Sequence, residues 1–324
     1  MLKRHLFLLA LLLLCLKGLA QEVNYDESKV PAYTLPNPLQ FSDGRLVENA
    51  QDWALRRQEI LGIFQREMYG QIPEKCPIWT ELLEEGTTLA GFGTRKQIRM
   101  WFKEDKTGPY VDWMLIEPRF APEPHPTILL LNYDGNHTLV EDERVMITEN
   151  WANVVGHGEE PVERGFYAGQ TKRSVYPIGT MLTRGYAFLT ACYGDISPDP
   201  TGEEAQDKTA YTRIFDLWPP RDNNRTDNTT ALGAWAWTLM RAMDMIEQTP
   251  ELDETRVLLT GYSRLAKAAL LAGAFDDRFP VVVPNQTGGG GVPLAKRFYG
   301  ENVSTMTKAF THWYCKAYKK YARK

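Results

Sequence analysis

The chain has 324 residues, 43% hydrophobic and 24% charged, with a formal net charge of −4. That length is enough for one large α/β domain with a sizeable core, and the balance of apolar and charged residues is that of a globular protein. Slight acidity and the lack of a basic stripe argue against a nucleic-acid partner.

Residues 1–20 read as a secretory signal. Lys3 and Arg4 form the charged start, residues 6–16 the apolar core, and Gly18-Leu19-Ala20 a small-residue cleavage site. The run is short for a membrane anchor, and Leu13 and Leu14 are too bulky for a lipobox ahead of Cys15. The expectation is a secreted or periplasmic protein, free of the membrane after cleavage. Cys76, Cys192 and Cys315 are widely spaced, and no H-x-x-x-H occurs among the histidines. This pattern gives neither a disulfide framework nor a metal-ligand set, although export permits one disulfide. No metal or cofactor is expected.

Residues 21–48 are polar and carry Pro31, Pro36 and Pro38, so they read as an extended arm ahead of a main domain over 49–324. Trp53, Leu55, Ile60, Leu61, Phe64 and Met68 predict an amphipathic helix over 49–69, ended by Gly70, with Trp53 and Met68 in the core. Residues 74–93 read as a connection. Strands are expected at 96–102 and 111–116, an antiparallel hairpin joined near Thr107-Gly108-Pro109, and a buried strand at 126–133. The last ends in Asp134-Gly135-Asn136-His137, a loop able to supply an oxyanion N–H; His137 itself reads as a hydrogen-bonded loop residue. Residues 150–175 read as irregular, 178–184 as helix, 186–192 as strand and 200–228 as a polar lid or rim. A helix over 230–248 carries Trp235 and Trp237, aromatics that fit a core better than a sugar platform.

Val257, Leu258 and Leu259 then form a short buried run, Gly261 breaks it, and residues 264–274 are rich in helix formers. A strand, a tight turn holding Ser263 and a helix make the context of a nucleophile elbow. The helix start places backbone N–H groups where negative charge would develop. The usual G-x-S-x-G pattern has glycine where this chain has Leu265, and an ordinary turn with an exposed serine is the alternative. Lys267 follows Ser263 by about one helical turn and so shares its face. Read without a family, Arg264 and Lys267 are a solvated helix start, although cations are disfavoured there. Residues 279–283 read as another buried strand. N-Q-T-G-G-G-G (285–291) lacks the Lys-Ser/Thr of a phosphate loop and reads as a close-packed turn near the site. Residues 308–324 read as helix.

Several segments together resemble one family. They are D-E-S-K-V-P-A-Y-T-L-P-N-P-L (26–39), T-R-K-Q-I (94–98), R-G-Y-A-F-L-T-A-C-Y-G-D-I-S-P-D (184–199) and A-W-A-W-T-L-M-R-A-M-D (234–244), followed by G-Y-S-R-L-A-K-A-A-L-L-A-G-A-F-D-D-R-F (261–279), G-G-G-G-V-P-L-A-K-R (288–297) and H-W-Y-C (312–315). In this order they resemble the bacterial glucuronoyl esterases, carbohydrate esterase family fifteen. The resemblance implies an α/β-hydrolase: a three-layer sandwich around a mostly parallel sheet. It also implies cleavage of 4-O-methyl-glucuronate esters between xylan and lignin alcohols through an acyl-enzyme, so the partner is glucuronoxylan or a lignin–carbohydrate ester. By position, Ser263 is the nucleophile, Arg264 stabilises the oxyanion and Lys267 binds sugar hydroxyls.

The sequence departs from the family pattern in three places. Many members carry a catalytic Glu where Gln286 stands. The family's catalytic His lies beyond H-W-Y-C, and after Ser263 this chain has only His312, at a non-catalytic family position. No strand-like run follows Val283, so the last sheet strands are expected to be missing and the chain reads as C-terminally incomplete. Three readings stay open: an exported glucuronoyl-esterase-like hydrolase, a non-catalytic carbohydrate-binding remnant, and another esterase or deacetylase on the same fold.

Overall fold

Successive strand residues face opposite sides, so a sheet covered on both faces needs apolar residues at nearly every position of its central strands. The computed structural model describes residues 23–148, 162–167, 176–200 and 209–323. The signal-like segment, most of the irregular stretch and part of the lid expectation lie outside the described residues. Strands β1 (Trp79–Thr88), β2 (Gly93–Trp101), β3 (Tyr110–Pro118), β4 (His125–Asn132), β5 (Ala187–Cys192), β6 (Leu252–Tyr262) and β7 (Val281–Asn285) form one sheet in the order β1-β2-β3-β5-β4-β6-β7. The pairs from β1 through β5 are antiparallel, and β5, β4, β6 and β7 run parallel.

The register lines up Leu115, Leu189, Leu129 and Leu259 in one row across four strands. All four are essentially fully buried, under helices α3 (Ala231–Glu247) and α4 (Arg264–Phe275). The neighbouring row on the opposite face runs Ile116, Phe188, Ile128, Leu258, Val281. There α2 (Ile178–Thr183) covers Ile116 and Phe188, and burial then decays until Val281 is 47% exposed. The expected buried strand at 279–283 is therefore corrected: β7 is a half-open edge among the described residues, apolar because Val282 packs under α4 while Val281 and Val283 face out.

Three other expectations change. The connection at 74–93 contains β1, whose polar sequence suits a sheet edge and whose bulge at Leu82/Glu84 breaks the alternation that would have revealed it. Helix α1 (Ala50–Phe64) runs into a π turn, Gln65–Tyr69, before Gly70. That turn shifts the helix phase, so Met68 and Tyr69 enter the core while Trp53 stays 40% exposed. The C-terminal stretch is not one helix: α5 (Val303–Ala309) stops, and a 3₁₀ segment begins at Lys316. Between them backbone groups are drawn elsewhere. Cys315 N–H donates to Met68 O at 2.8 Å, and His312 O accepts from Ala231 N–H at 3.0 Å, closing the first turn of α3.

Residues 23–48 lie along the surface, with Asn24 bridged to Gly300. Cys76, Cys192 and Cys315 are free thiols. Among the described residues no helix is long and apolar enough to cross a membrane, and no cluster of His, Cys, Asp and Glu is arranged to hold a metal.

Candidate active site

Parallel strands deliver their C-terminal ends to one rim, and there β6 hands Ser263 to α4. Ser263 has φ 54° and ψ −122°, a left-handed conformation that a non-glycine residue holds only under surrounding constraint. Its N–H donates to Asn285 O at 3.1 Å, and its carbonyl accepts from Ala266 and Lys267 N–H, which opens the helix. Gly261 makes the turn possible: a Cβ there would lie 2.5 Å from Leu265 O. Leu265 itself is buried in the core, so the second glycine of the usual pattern is not required here.

Arg264 is not solvated. Its Nη1 donates to Asp199 Oδ2, and its guanidinium lies 4.8 Å from the centroid of the Trp313 ring. Asp199 is fully buried and also accepts from His312 Nε2 at 2.6 Å, Trp313 Nε1 at 2.8 Å and Tyr193 Oη at 3.0 Å. Burial pushes the Asp199 carboxyl up, but the His312 hydrogen bond and the Arg264 charge outweigh it and hold it below the ordinary range. Arg264 Nε is buried without a partner, which leaves a charged donor free beside the elbow.

Lys267 is buried at 2% exposure, with its ammonium 5.2 Å from the centroid of the same Trp313 ring. Burial lowers it to about 8 despite the nearby Glu301 carboxylate. The solvated reading of both cations is thereby overturned: the helix start faces the C-terminal segment, not water. The glycine run closes this side. Gly289 N–H donates to Glu301 Oε2 at 2.8 Å, Tyr69 Oη donates to Gly290 O at 2.8 Å, and Gly290 at φ +74° packs against the Tyr314 ring.

The structure thus brings Ser263, Arg264 and Lys267 to one helix start. It does not bring His312 to Ser263 as a base: the ring is fully buried and its Nε2 is engaged by Asp199. Gln286 is exposed at φ 51°. His137 fixes its loop through Nε2 and Val162 O at 2.9 Å. Asp199, Glu301 and Trp313 were not singled out by sequence reasoning. Asp199 and Trp313 stand inside quoted family stretches, but nothing local marks their partners.

A family model described as "Glucuronyl esterase, fungi" matches residues 185–324. Carbohydrate esterase MZ0003, from an unknown prokaryotic organism, is 34% identical over 307 residues, covering 92% of this chain and 68% of the relative. A 4-O-methyl-glucuronoyl methylesterase of Phanerochaete carnosa is 26% identical over 278 residues; the match covers 79% of this chain but only 50% of that one. The solved glucuronoyl esterase from Solibacter usitatus superposes with a TM-score of 0.80 at 35% identity, over 91% of this chain and 74% of its own. A structure titled as a promiscuous CE15 esterase from a marine bacterial metagenome gives 0.80 at 31% identity, over 94% and 75%.

Proposed function

This chain belongs to the glucuronoyl esterase family, carbohydrate esterase family 15, and on that footing we propose that it is an exported serine hydrolase of uronate esters. In this reading residues 1–20 direct export, 21–48 form the arm and 49–324 the α/β-hydrolase domain. Ser263 is the nucleophile toward 4-O-methyl-glucuronate esters linking xylan to lignin alcohols. Arg264, anchored on Asp199 with Nε free, stabilises the oxyanion. Lys267 binds sugar hydroxyls.

The observation that carries the reading is Ser263 at φ 54° on the strand-to-helix turn, next to a half-buried guanidinium. Backbone strain of that kind persists where it serves a site. Hydrolysis of a benzyl glucuronate ester tests it, with Ser263→Ala beside the wild type. Turnover falling to background in the variant supports the assignment; equal rates in both would overturn it.

A second reading, a carbohydrate-binding protein without turnover, is favoured by one observation. Among the described residues no imidazole is hydrogen-bonded to Ser263, and His312 is held by Asp199. A serine without a base is a weak nucleophile, although oxyanion stabilisation alone leaves residual rate. A folded wild-type chain that binds glucuronoxylan but cleaves no ester would decide for this second reading. Cleavage of acetyl but not uronate esters would decide for another esterase on the same fold.

A further inference from the structure

We propose that Tyr133 is a further catalytic residue of the site, its phenolic hydroxyl donating a hydrogen bond to the oxyanion that forms when Ser263 attacks an ester. The inference rests on the reading of Ser263 as nucleophile and adds a donor from a different strand.

The placement follows from topology. Tyr133 is the first residue after β4, and β4 pairs in parallel with β6, so its end meets the elbow on the same rim. Its hydroxyl donates to Tyr262 O at 2.5 Å. The ring centroid lies 5.8 Å from the Arg264 guanidinium, the cation that follows Ser263 in the chain. The phenol is therefore seated on the backbone of the residue that precedes the nucleophile, with the guanidinium of the residue that follows it nearby. One amide of this loop is already engaged, since Gly135 N–H donates to Asn132 Oδ1 at 2.9 Å. Tyr133 also lines a cleft of about 300 Å³ together with Gly261, Tyr262 and Asn285, the residues that flank the elbow.

The environment separates donor from base. Burial pushes the phenol up to about 12, and the nearby Arg264 charge only partly offsets it. A phenol that keeps its proton cannot take one from Ser263, but it can hold a hydrogen bond on a developing oxyanion. As Ser263 Oγ bonds to the acyl carbon, the carbonyl π pair moves onto oxygen. The Tyr133 O–H turns from Tyr262 O to that oxygen and keeps its proton. When the carbonyl re-forms, the bond to the alcohol oxygen breaks, and the serine proton ends on the departing alcohol.

Tyr133→Phe keeps the ring and removes only the hydroxyl. Wild type, Tyr133→Phe and Ser263→Ala are compared in benzyl glucuronate hydrolysis and in binding of benzeneboronic acid, which forms a tetrahedral adduct on an activated serine. The expected result for Tyr133→Phe is a 10- to 100-fold loss of kcat with KM within threefold, a similar loss of boronate affinity and an unchanged melting temperature. Unchanged kcat and boronate affinity overturn the proposal, as does a parallel fall in melting temperature that accounts for the lost activity. If the wild type binds boronate at Ser263 but cleaves no ester, the boronate arm alone decides for or against Tyr133, and only ester turnover has failed. A wild type that does neither overturns Tyr133 together with the reading of Ser263.

Discussion

Lys267, proposed above to bind sugar hydroxyls, illustrates at the residue scale how such a side chain stands against stability. An amine that titrates near 8 when folded and near 10.5 when free binds fewer protons in the native state between those values. Stability therefore rises with pH through that window, and below it the buried charge is a net cost. Lys267→Met should stabilise the fold at pH 7 by on the order of 1–3 kcal/mol, read by urea denaturation. The same variant should raise KM for a glucuronate ester roughly tenfold, since a buried charged donor is lost. Wild-type KM should rise as pH climbs past about 8 and the ammonium is lost. A KM flat from pH 7 to 9 would remove Lys267 from the binding site. Ser263 stood out from its strand–turn–helix context, whereas Arg264 and Lys267 were singled out only by the family resemblance and otherwise read as a solvated helix start. Asp199 was not: four donors from three chain segments converge on it, and no local pattern encodes such a convergence.

The elbow is the element on which the site depends, and Gly261 is its tightest point. Gly261→Ala drives a methyl into the Leu265 carbonyl, which should cost about 3 kcal/mol. The melting temperature should then fall by roughly 4–5 °C. A melting temperature within a degree of wild type would show that β6 and α4 can separate without loss. This element was readable because strand, break and helix are contiguous, and the central strands β3 to β6 because each carries a short apolar run. Strand β1 escaped because its burial is partial and its pairing slips at Leu82/Glu84. The C-terminal helix was over-read because aromatic and basic spacing suits a helix. Whether the helix forms is decided by distant acceptors, Met68 O and Thr226 O, that capture its amides.

At the scale of the whole molecule, the sheet is covered unevenly. Among the described residues one face lies under α3 and α4, while the other thins out toward β7, where Val281 and Val283 are about half exposed. An apolar edge strand with open backbone groups invites pairing with another chain. Val283→Lys should lower concentration-dependent self-association measured by sedimentation, with little effect on melting temperature. Association unchanged by the substitution would place the sticky surface elsewhere. The Asp199 knot has a consequence in time as well as in space. Asp199 and Arg264 are 65 residues apart, and Asp199 and His312 are 113 apart. Loops of that length close late, after local helices and hairpins have formed. The carboxylate that holds the guanidinium beside Ser263 is thus shared with His312 and Trp313, from a separate stretch of chain. Pairing of β4 with β6, Leu129 beside Leu259, spans a comparable length of chain, so in refolding the knot is expected to form together with the central sheet and after the local helices and hairpins.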